Sequence, residues 1–289
     1  MSNFYRFRVG EFQCAAVSDG WKDYEPVDFF TGASHDEMLA ELERSGMTSE
    51  VLTTPYTFLT VNTGEHQVLV DTGAGSLAAT TGQLPASLGD AGVQPEDIDV
   101  VIITHAHPDH IGGLLDGDGR PQYPNARYFI ARLEWEFWFS DDAYAKAPRW
   151  FVELARGMVR PFEREISLIE HGSNIVSGVT LLDARGHTPG HSMVAFTSGS
   201  STLVFGSEAV VLPGHLEHPD WTAARYDVDP VAADATKRRV ADLMATEGWL
   251  VLFQHFPPFP SLGRIVKSEG AWRWMPVETG LESTGSEDR

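Results

Sequence analysis

Apolar and polar positions along the chain form short runs that predict strands. These runs are rich in β-branched and aromatic residues, and turn-forming residues bound them. They lie at 12–18, 56–62, 66–71, 99–104, 125–131, 179–184, 192–198, 201–207 and 249–255. Thr63-Gly64 predicts a hairpin turn between the second and third runs, and Ser198-Gly199-Ser200 predicts another.

Helices are predicted where a polar N-cap and a terminal glycine enclose a segment of helical pattern. Such signals delimit segments from Ser34 to Gly46, from 84 to near Gly92, and from Asp229 to Gly248. The last of these is the clearest, because Pro230 also occupies its first helical position. The segment 132–158 is helical in pattern and unusually aromatic.

The run at 99–104 contains four consecutive β-branched apolar residues, which predicts a strand buried on both faces. Strand-rich segments at both ends enclose helices and strands in the middle. This order predicts an α/β fold in which two mixed β-sheets form an αββα sandwich flanked by helices. We expect one domain over 1–275, followed by an acidic, flexible tail at 276–289.

Charge and cysteine content limit the partners and the kinds of metal site that this protein can have. Formal net charge is −20, from 41 acidic and 21 basic residues, which disfavours nucleic acid and anionic membranes as partners. Cys14 is the only cysteine, so any metal site must use histidine and carboxylate. The sequence contains neither an apolar run of membrane-spanning length nor a recognisable secretory signal, and a cytoplasmic location is predicted.

The densest chemistry lies in VIITHAHPDHIGG, residues 101–113. His105, His107, Asp109 and His110 directly follow a predicted buried strand. Alternating side chains of an extended segment point the same way, so His105 and His107 can converge on one ion. Imidazole and carboxylate are ligands that zinc and similar metals prefer. The stretch therefore predicts part of a metal site.

Further donors follow later predicted strands, where α/β sheets place their ligand sites. These donors are His187, His191, Glu208 and His255. Five other histidines stand singly in polar or turn-like surroundings and receive no function: His35, His66, His171, His215 and His218.

Taken in order, THAHPDHIGG, the DTG at 71–73, GHTPGHS, the acidic residue after LVFGS and QHFPPFPSLGRI resemble the metallo-β-lactamase-fold metallohydrolases. The similarity spans residues 58 to 266 and is strongest to the branch of lactonases and methyl-parathion-hydrolase-like esterases. It implies two divalent ions, zinc first, with manganese, iron or cobalt as alternatives. The implied ligands are His105, His107 and His187 for one ion, Asp109, His110 and His255 for the other, and Glu208 as the bridge. Asp71 and His191 would form hydrogen bonds without binding metal, and Asp71 would orient the loop that carries His105.

Two positions depart from the family pattern. Glu208 stands where the family has aspartate, so it could bridge both ions or bind only one. Val211 stands where lactonases of this branch have a tyrosine that contacts the substrate carbonyl. The second departure favours a broader esterase, lactonase or phosphotriesterase over a specialist for acyl-homoserine lactones.

The predicted reaction is attack of a metal-bound hydroxide on a small hydrophobic ester, lactone or phosphotriester. Asp109, besides binding metal, could pass a proton to the leaving group. A thioesterase or glyoxalase-II-like activity and a non-catalytic ligand-binding protein are the alternatives. The aromatic residues within 135–151 predict either core packing, including a homodimer face, or a wall of the substrate pocket, and PPFPSL after His255 is a second candidate wall.

Overall fold

A computed structural model describes residues 2–45, 51–163 and 165–278. Its strands form two mixed sheets of seven, in the described part of the chain. The first contains β1 (Phe4–Val9), β2 (Phe12–Tyr24), β3 (Leu52–Asn62), β4 (Gln67–Val70), β5 (Val100–Ile103), β6 (Arg127–Ala131) and β7 (Ser167–Ile169). The second contains β8 (Asn174–Val176), β9 (Val179–Asp183), β10 (Ser192–Ser198), β11 (Ser201–Phe205), β12 (Leu250–Leu252), β13 (Leu262–Ser268) and β14 (Ala271–Pro276).

Strand order follows chain order in the first sheet and reverses it in the second. Strands β1 to β4 pair antiparallel, and β4 to β7 pair parallel. In the second sheet only the pair β11–β12 is parallel among the described strands. Both predicted hairpin turns lie where expected, between β3 and β4 and between β10 and β11.

The helices cover the outer faces and the loops around the strand ends. They are α1 (His35–Arg44), α2 (Leu84–Asp90), α3 (Pro108–Ile111), α4 (Arg132–Phe139), α5 (Asp142–Lys146), α6 (Arg149–Val159), α7 (Gly214–Glu217) and α8 (Pro230–Glu247). Short 3₁₀ turns lie at Pro26–Asp28, Gly75–Leu77, Pro95–Asp97 and Arg160–Phe162. Ser34 caps α1 and Asp229 caps α8, as predicted, and Gly248 ends α8 at a φ of 63°. The predicted stop at Gly46 lies outside the described residues.

Strand β5 shows why the two sheets form a sandwich. Val100 and Ile102 pack between the sheets against second-sheet residues such as Leu181 and Phe196. Val101 and Ile103 point the other way and pack under helices of the first sheet. The apolar run is therefore buried on both faces, as predicted. The second sheet is covered in turn by α8, and the αββα fold is confirmed.

Two parts of the predictions need correction or stay open. The strand predicted to end on His255 ends at Leu252, because β12 pairs with its neighbours over three residues only. His255 lies in the loop beyond it. The single domain over 1–275 stays a prediction, and most of the predicted tail, 279–289, lies outside the described residues. No helix among the described residues is long and apolar enough to cross a membrane.

Candidate metal centre

The loop after β5 places its donors through a tight turn. His107 is the extended N-cap of α3, and this one-turn helix carries Asp109 and His110. The turn then passes close to neighbouring backbone at two glycines. A Cβ on Gly112 would lie 2.3 Å from the carbonyl oxygen of Ala74, and one on Gly113 would lie 2.1 Å from that of Thr72. These glycines permit a close approach that a side chain would prevent.

His105, His107 and His187 form the first group of donors. One ligand atom of each lies within 4.8 Å of the others, and all three side chains are buried. Nδ1 of His107 is 3.0 Å from Nε2 of His187. Nε2 of His105 is buried without any hydrogen-bond partner among the described residues. A buried, unpaired imidazole nitrogen is costly unless an ion occupies the position in front of it.

Asp109, His110, Glu208 and His255 form the second group, again with ligand atoms within 4.8 Å of one another. Oε1 of Glu208 lies 2.7 Å from Nε2 of His110 and 3.0 Å from Nε2 of His255. Oδ2 of Asp109 lies 3.4 Å from the same nitrogen of His255. Two carboxylates and two imidazoles thus converge at one point, which is a donor set suited to a divalent cation.

Glu208 lies between the two groups. Its Oε1 belongs to the second group, whereas Oε2 lies 3.7 Å from Nδ1 of His105 and 3.6 Å from Nε2 of His191. Ser207 donates a hydrogen bond of 2.6 Å to the same Oε2. The two oxygens of one carboxylate therefore face different histidine sets.

Protonation equilibria differ among the donors. In the first group, burial lowers the pKa of His187, but Asp227 outweighs burial and raises that pKa above its usual value. Burial lowers the pKa of His105 and His107 well below the usual range, so both rings are neutral at pH 7 and can ligate without losing a proton. Burial also opposes the charge on His110 and His255, but the carboxylates outweigh it. The pKa of His110 is raised well above its usual value by Glu208, Asp71 and Asp109, and that of His255 is raised to about 9 by Asp109 and Glu208.

Asp71 orients the second group. Its Oδ2 lies 2.7 Å from Nδ1 of His110, and its two oxygens accept hydrogen bonds from the amide and hydroxyl of Thr104. These contacts agree with the expectation that Asp71 orients the loop carrying His105, because Thr104 directly precedes His105 and His110 lies in the same loop.

His191 is buried beside the ligands with both ring nitrogens directed at protein atoms. Nδ1 lies 2.8 Å from the carbonyl oxygen of Ala184, and Nε2 faces the backbone amide of Glu208 at 3.4 Å. This position agrees with a hydrogen-bonding role, although the ring also lies in a third cluster with His105 and Glu208.

Asp227 was not predicted, yet its Oδ1 lies 2.8 Å from Nδ1 of His187. Ser207 was also missed; its hydroxyl lies 3.0 Å from that of Thr104 and joins the two sheets behind the donors. Asp227 stands in no motif. Ser207 is the last residue of LVFGS, but the motif drew attention only to the acidic residue that follows it.

A cavity of about 290 Å³ opens onto the donors. His107, His187 and Asp227 line it beside Trp150 and Phe151, and the Phe151 ring lies 5.1 Å from that of His107. Further aromatic and cationic side chains line the same cavity. They are Lys22, Tyr24, Phe29, Arg225 and Tyr226.

The aromatic segment divides between both predicted roles. Phe137 and Trp138 belong to the core, whereas Trp150 and Phe151 line the cavity. The homodimer face stays a prediction. The expectation for PPFPSL is wrong for this cavity, because His255 lines it and none of the described residues 257–262 does. Phe256, the residue before this stretch, packs edge-on against Trp274, with ring centroids 4.9 Å apart.

The single histidines are brought into neither of the first two groups. His215 is buried, and its Nε2 lies 2.7 Å from the carbonyl oxygen of Phe29. His171 lies 3.0 Å from the hydroxyl of Ser192. Both contacts are those of structural histidines.

A family model described as the Metallo-beta-lactamase superfamily matches residues 52–255. The chain belongs to this superfamily. It is a metal-dependent hydrolase. The expected alternative of a non-catalytic binding protein is therefore not retained, and the donor groups together with the family support two divalent ions.

Relatives within the superfamily are lactonases and other hydrolases. An N-acyl homoserine lactonase of Bacillus sp is 25% identical over 227 residues, which are 71% of this chain and 83% of the relative. A solved structure of AidC, a dizinc quorum-quenching lactonase in complex with a product, superposes with a TM-score of 0.88 at 26% identity, covering 96% of this chain and 98% of the other. The hydrolase AbOPH gives the same score, identity and coverage.

Val211 lines the cavity of the present protein. Its side chain offers methyl groups to the cavity and no hydroxyl group. Tyr24 and Tyr226 bring phenol groups to the same cavity from other elements.

Proposed function

We propose that the chain is a dinuclear lactonase and esterase that acts on small, uncharged, hydrophobic substrates, with acyl-substituted lactones as the first class to test. The observation that carries the proposal is the convergence of seven donors, five of which line a cavity with aromatic walls. The lactonase relatives support lactones as substrates, and the similarity to the hydrolase AbOPH supports a hydrolytic activity in general.

His105, His107 and His187 would hold one ion, and Asp109, His110 and His255 the other, with Glu208 shared between them. Zinc is the proposed metal, because the donors are imidazole and carboxylate groups and because the similar AidC structure is that of a dizinc lactonase. When bound, the ions would make water nucleophilic at neutral pH and polarise the scissile carbonyl or phosphoryl group.

The protein's own groups would then position the substrate and move a proton. Trp150 and Phe151 offer an apolar surface for an acyl or aryl group beside His107. Asp109 faces the cavity, and His110 and His255 keep its pKa below the usual value although burial raises it. It is therefore ionised at neutral pH, and it can accept the proton of the nucleophile and return it to the leaving group.

Metal analysis combined with a substrate panel tests this function. The panel contains lactones with short and long acyl chains, p-nitrophenyl esters, paraoxon and a thioester. We expect two ions per chain and turnover of lactones or esters that stops on chelation and returns with zinc. Two bound ions without hydrolysis of any lactone or ester would refute the proposal, and turnover of the thioester alone would favour the thioesterase alternative.

A further inference from the structure

Glu134, the third residue of α4, is a fully buried carboxylate with no place in the chemistry described above. None of the described residues forms an ion pair with it. A buried carboxylate without a cation is costly unless several donors surround it. Its position in the first turn of a helix contributes a favourable field but does not by itself compensate for that cost.

Two loops supply the missing donors, and each takes one oxygen. Oε1 accepts hydrogen bonds from the amide of Ala106 at 2.9 Å and the indole of Trp138 at 2.6 Å. Oε2 accepts hydrogen bonds from the hydroxyl of Thr188 at 2.6 Å and the amide of Gly190 at 3.0 Å. All four donors are uncharged and buried, and Glu134 is the acceptor that they share.

These donors are neighbours of the metal-binding histidines. Ala106 lies between His105 and His107, and Thr188 follows His187. The indole of Trp138 also packs edge-on against His107, with ring centroids 5.7 Å apart. The two loops approach each other at His107 and His187, which are 80 residues apart in the chain. The carboxylate of Glu134 therefore links the backbone beside His105 and His107 to the backbone that follows His187.

The second donor group has a different buried carboxylate. Asp71 contacts His110 directly, and no hydrogen bond links Glu134 to Asp109, His110, Glu208 or His255 among the described residues. Each group thus has its own support, and the two supports can be perturbed separately.

We propose that Glu134 is a positioning residue that sets the distance between the His105–His107 segment and His187, and thereby the affinity of the first donor group for its ion. The inference rests on the ligand sets of the proposed function. Changing Glu134 to glutamine keeps the shape but turns one acceptor oxygen into a donor NH₂ group. Either the Ala106 loop or the Thr188 loop then loses its acceptor.

The test is titration of the metal-free protein with Zn²⁺ against a chelating indicator, which resolves two binding steps. In Glu134→Gln we expect one step to weaken by about tenfold or more, the range found for partners of ligating histidines, and the other to stay unchanged. Adding His255→Ala should then abolish the remaining tight step, whereas adding His187→Ala should leave it. The absorption spectrum of the Co²⁺ form should change for the weakened ion alone.

Two further variants keep the test decisive. Thr188→Val removes one hydrogen bond to Oε2 with little change in volume, and it should weaken the same step by a smaller factor. If Glu134→Gln does not fold, the Zn²⁺ titration of Thr188→Val tests the proposal in its place. Glu41→Gln is the matched control, since Glu41 is also buried but its polar partners are Arg44 on α1 and Ser45, the residue that follows α1. It should leave both steps unchanged.

Wild-type affinity at both steps, equal weakening of both, or a loss that maps to the second group would each overturn the role of Glu134. The measurement does not depend on hydrolysis. Failure of the substrate panel would therefore refute the proposed function while leaving this inference intact, and the reverse also holds.

Discussion

Oδ1 of Asp227 lies 2.8 Å from Nδ1 of His187, and the two side chains stand 40 residues apart in the chain. As a metal ligand, His187 would keep its proton on Nδ1, where the carboxylate accepts it, and would offer Nε2 to the ion. Nε2 is the atom that faces His107. Such a carboxylate also raises the basicity of a ligating imidazole.

Replacing Asp227 with asparagine should therefore weaken metal binding. We expect Asp227→Asn to lower the affinity of the first donor group about 10-fold to 100-fold, measured by chelator competition. Asp220→Asn is the control. Asp220 lies in the same connection between α7 and α8, but its side chain is 93% exposed and pairs with Arg238. Equal affinities in Asp227→Asn and wild type would show that the carboxylate does not assist His187.

Glu208 can be tested by shortening and by removal. Glu208→Asp withdraws the carboxylate by about one C–C bond from His110 and His255, and we expect a changed metal stoichiometry or preference. Glu208→Ala should lose an ion and lower kcat/KM by about 100-fold or more. Metal analysis and steady-state kinetics measure both effects. Wild-type metal content and rate in both variants would remove Glu208 from the site.

Trp150 offers a test of substrate specificity. It is 50% exposed and lines the cavity, so Trp150→Ala should raise KM for long-chain or aryl substrates more than for short ones. A loss of about tenfold in kcat/KM corresponds to about 1.4 kcal/mol of apolar contact. Trp21→Ala is the matched control, because Trp21 is 45% exposed and does not line this cavity. An identical loss of kcat/KM for short and long substrates would contradict the role of Trp150 in binding the acyl or aryl group.

His215 predicts a pH dependence of folding stability. Burial lowers its pKa from 6.5 to about 4, so the unfolded chain takes up a proton at a higher pH than the folded one does. The stability is complete above pH 6.5 and is lost as the pH falls toward 4.

At pH 5, wild type should have lost roughly 2 kcal/mol of unfolding free energy through this residue. His215→Gln should lose correspondingly less between pH 7.5 and pH 5 in urea denaturation. Other titrating groups are common to both proteins and cancel in the difference. Parallel stability curves for the two proteins would exclude His215 as the source.

The sequence by itself determined the parts of this protein that depend on local pattern. The apolar run at 99–104 specified a strand buried on both faces, and Asp229, Pro230 and Gly248 specified the ends of α8. The donors around His105 were recognisable because ligands adjacent in the chain need a characteristic spacing. The donors at His187, Glu208 and His255 were recognisable because each follows a strand.

Only the tertiary structure decided which side chains support those donors. Glu134 lies in an aromatic helical segment and Asp227 in an irregular connection, and no periodicity marks either as different from a surface acid. The same holds for Trp150, which lines the cavity, and for Trp138, which lies in the core. Their roles depend on hydrogen bonds and packing between elements 28 to 80 residues apart, and such contacts leave no local pattern in the sequence.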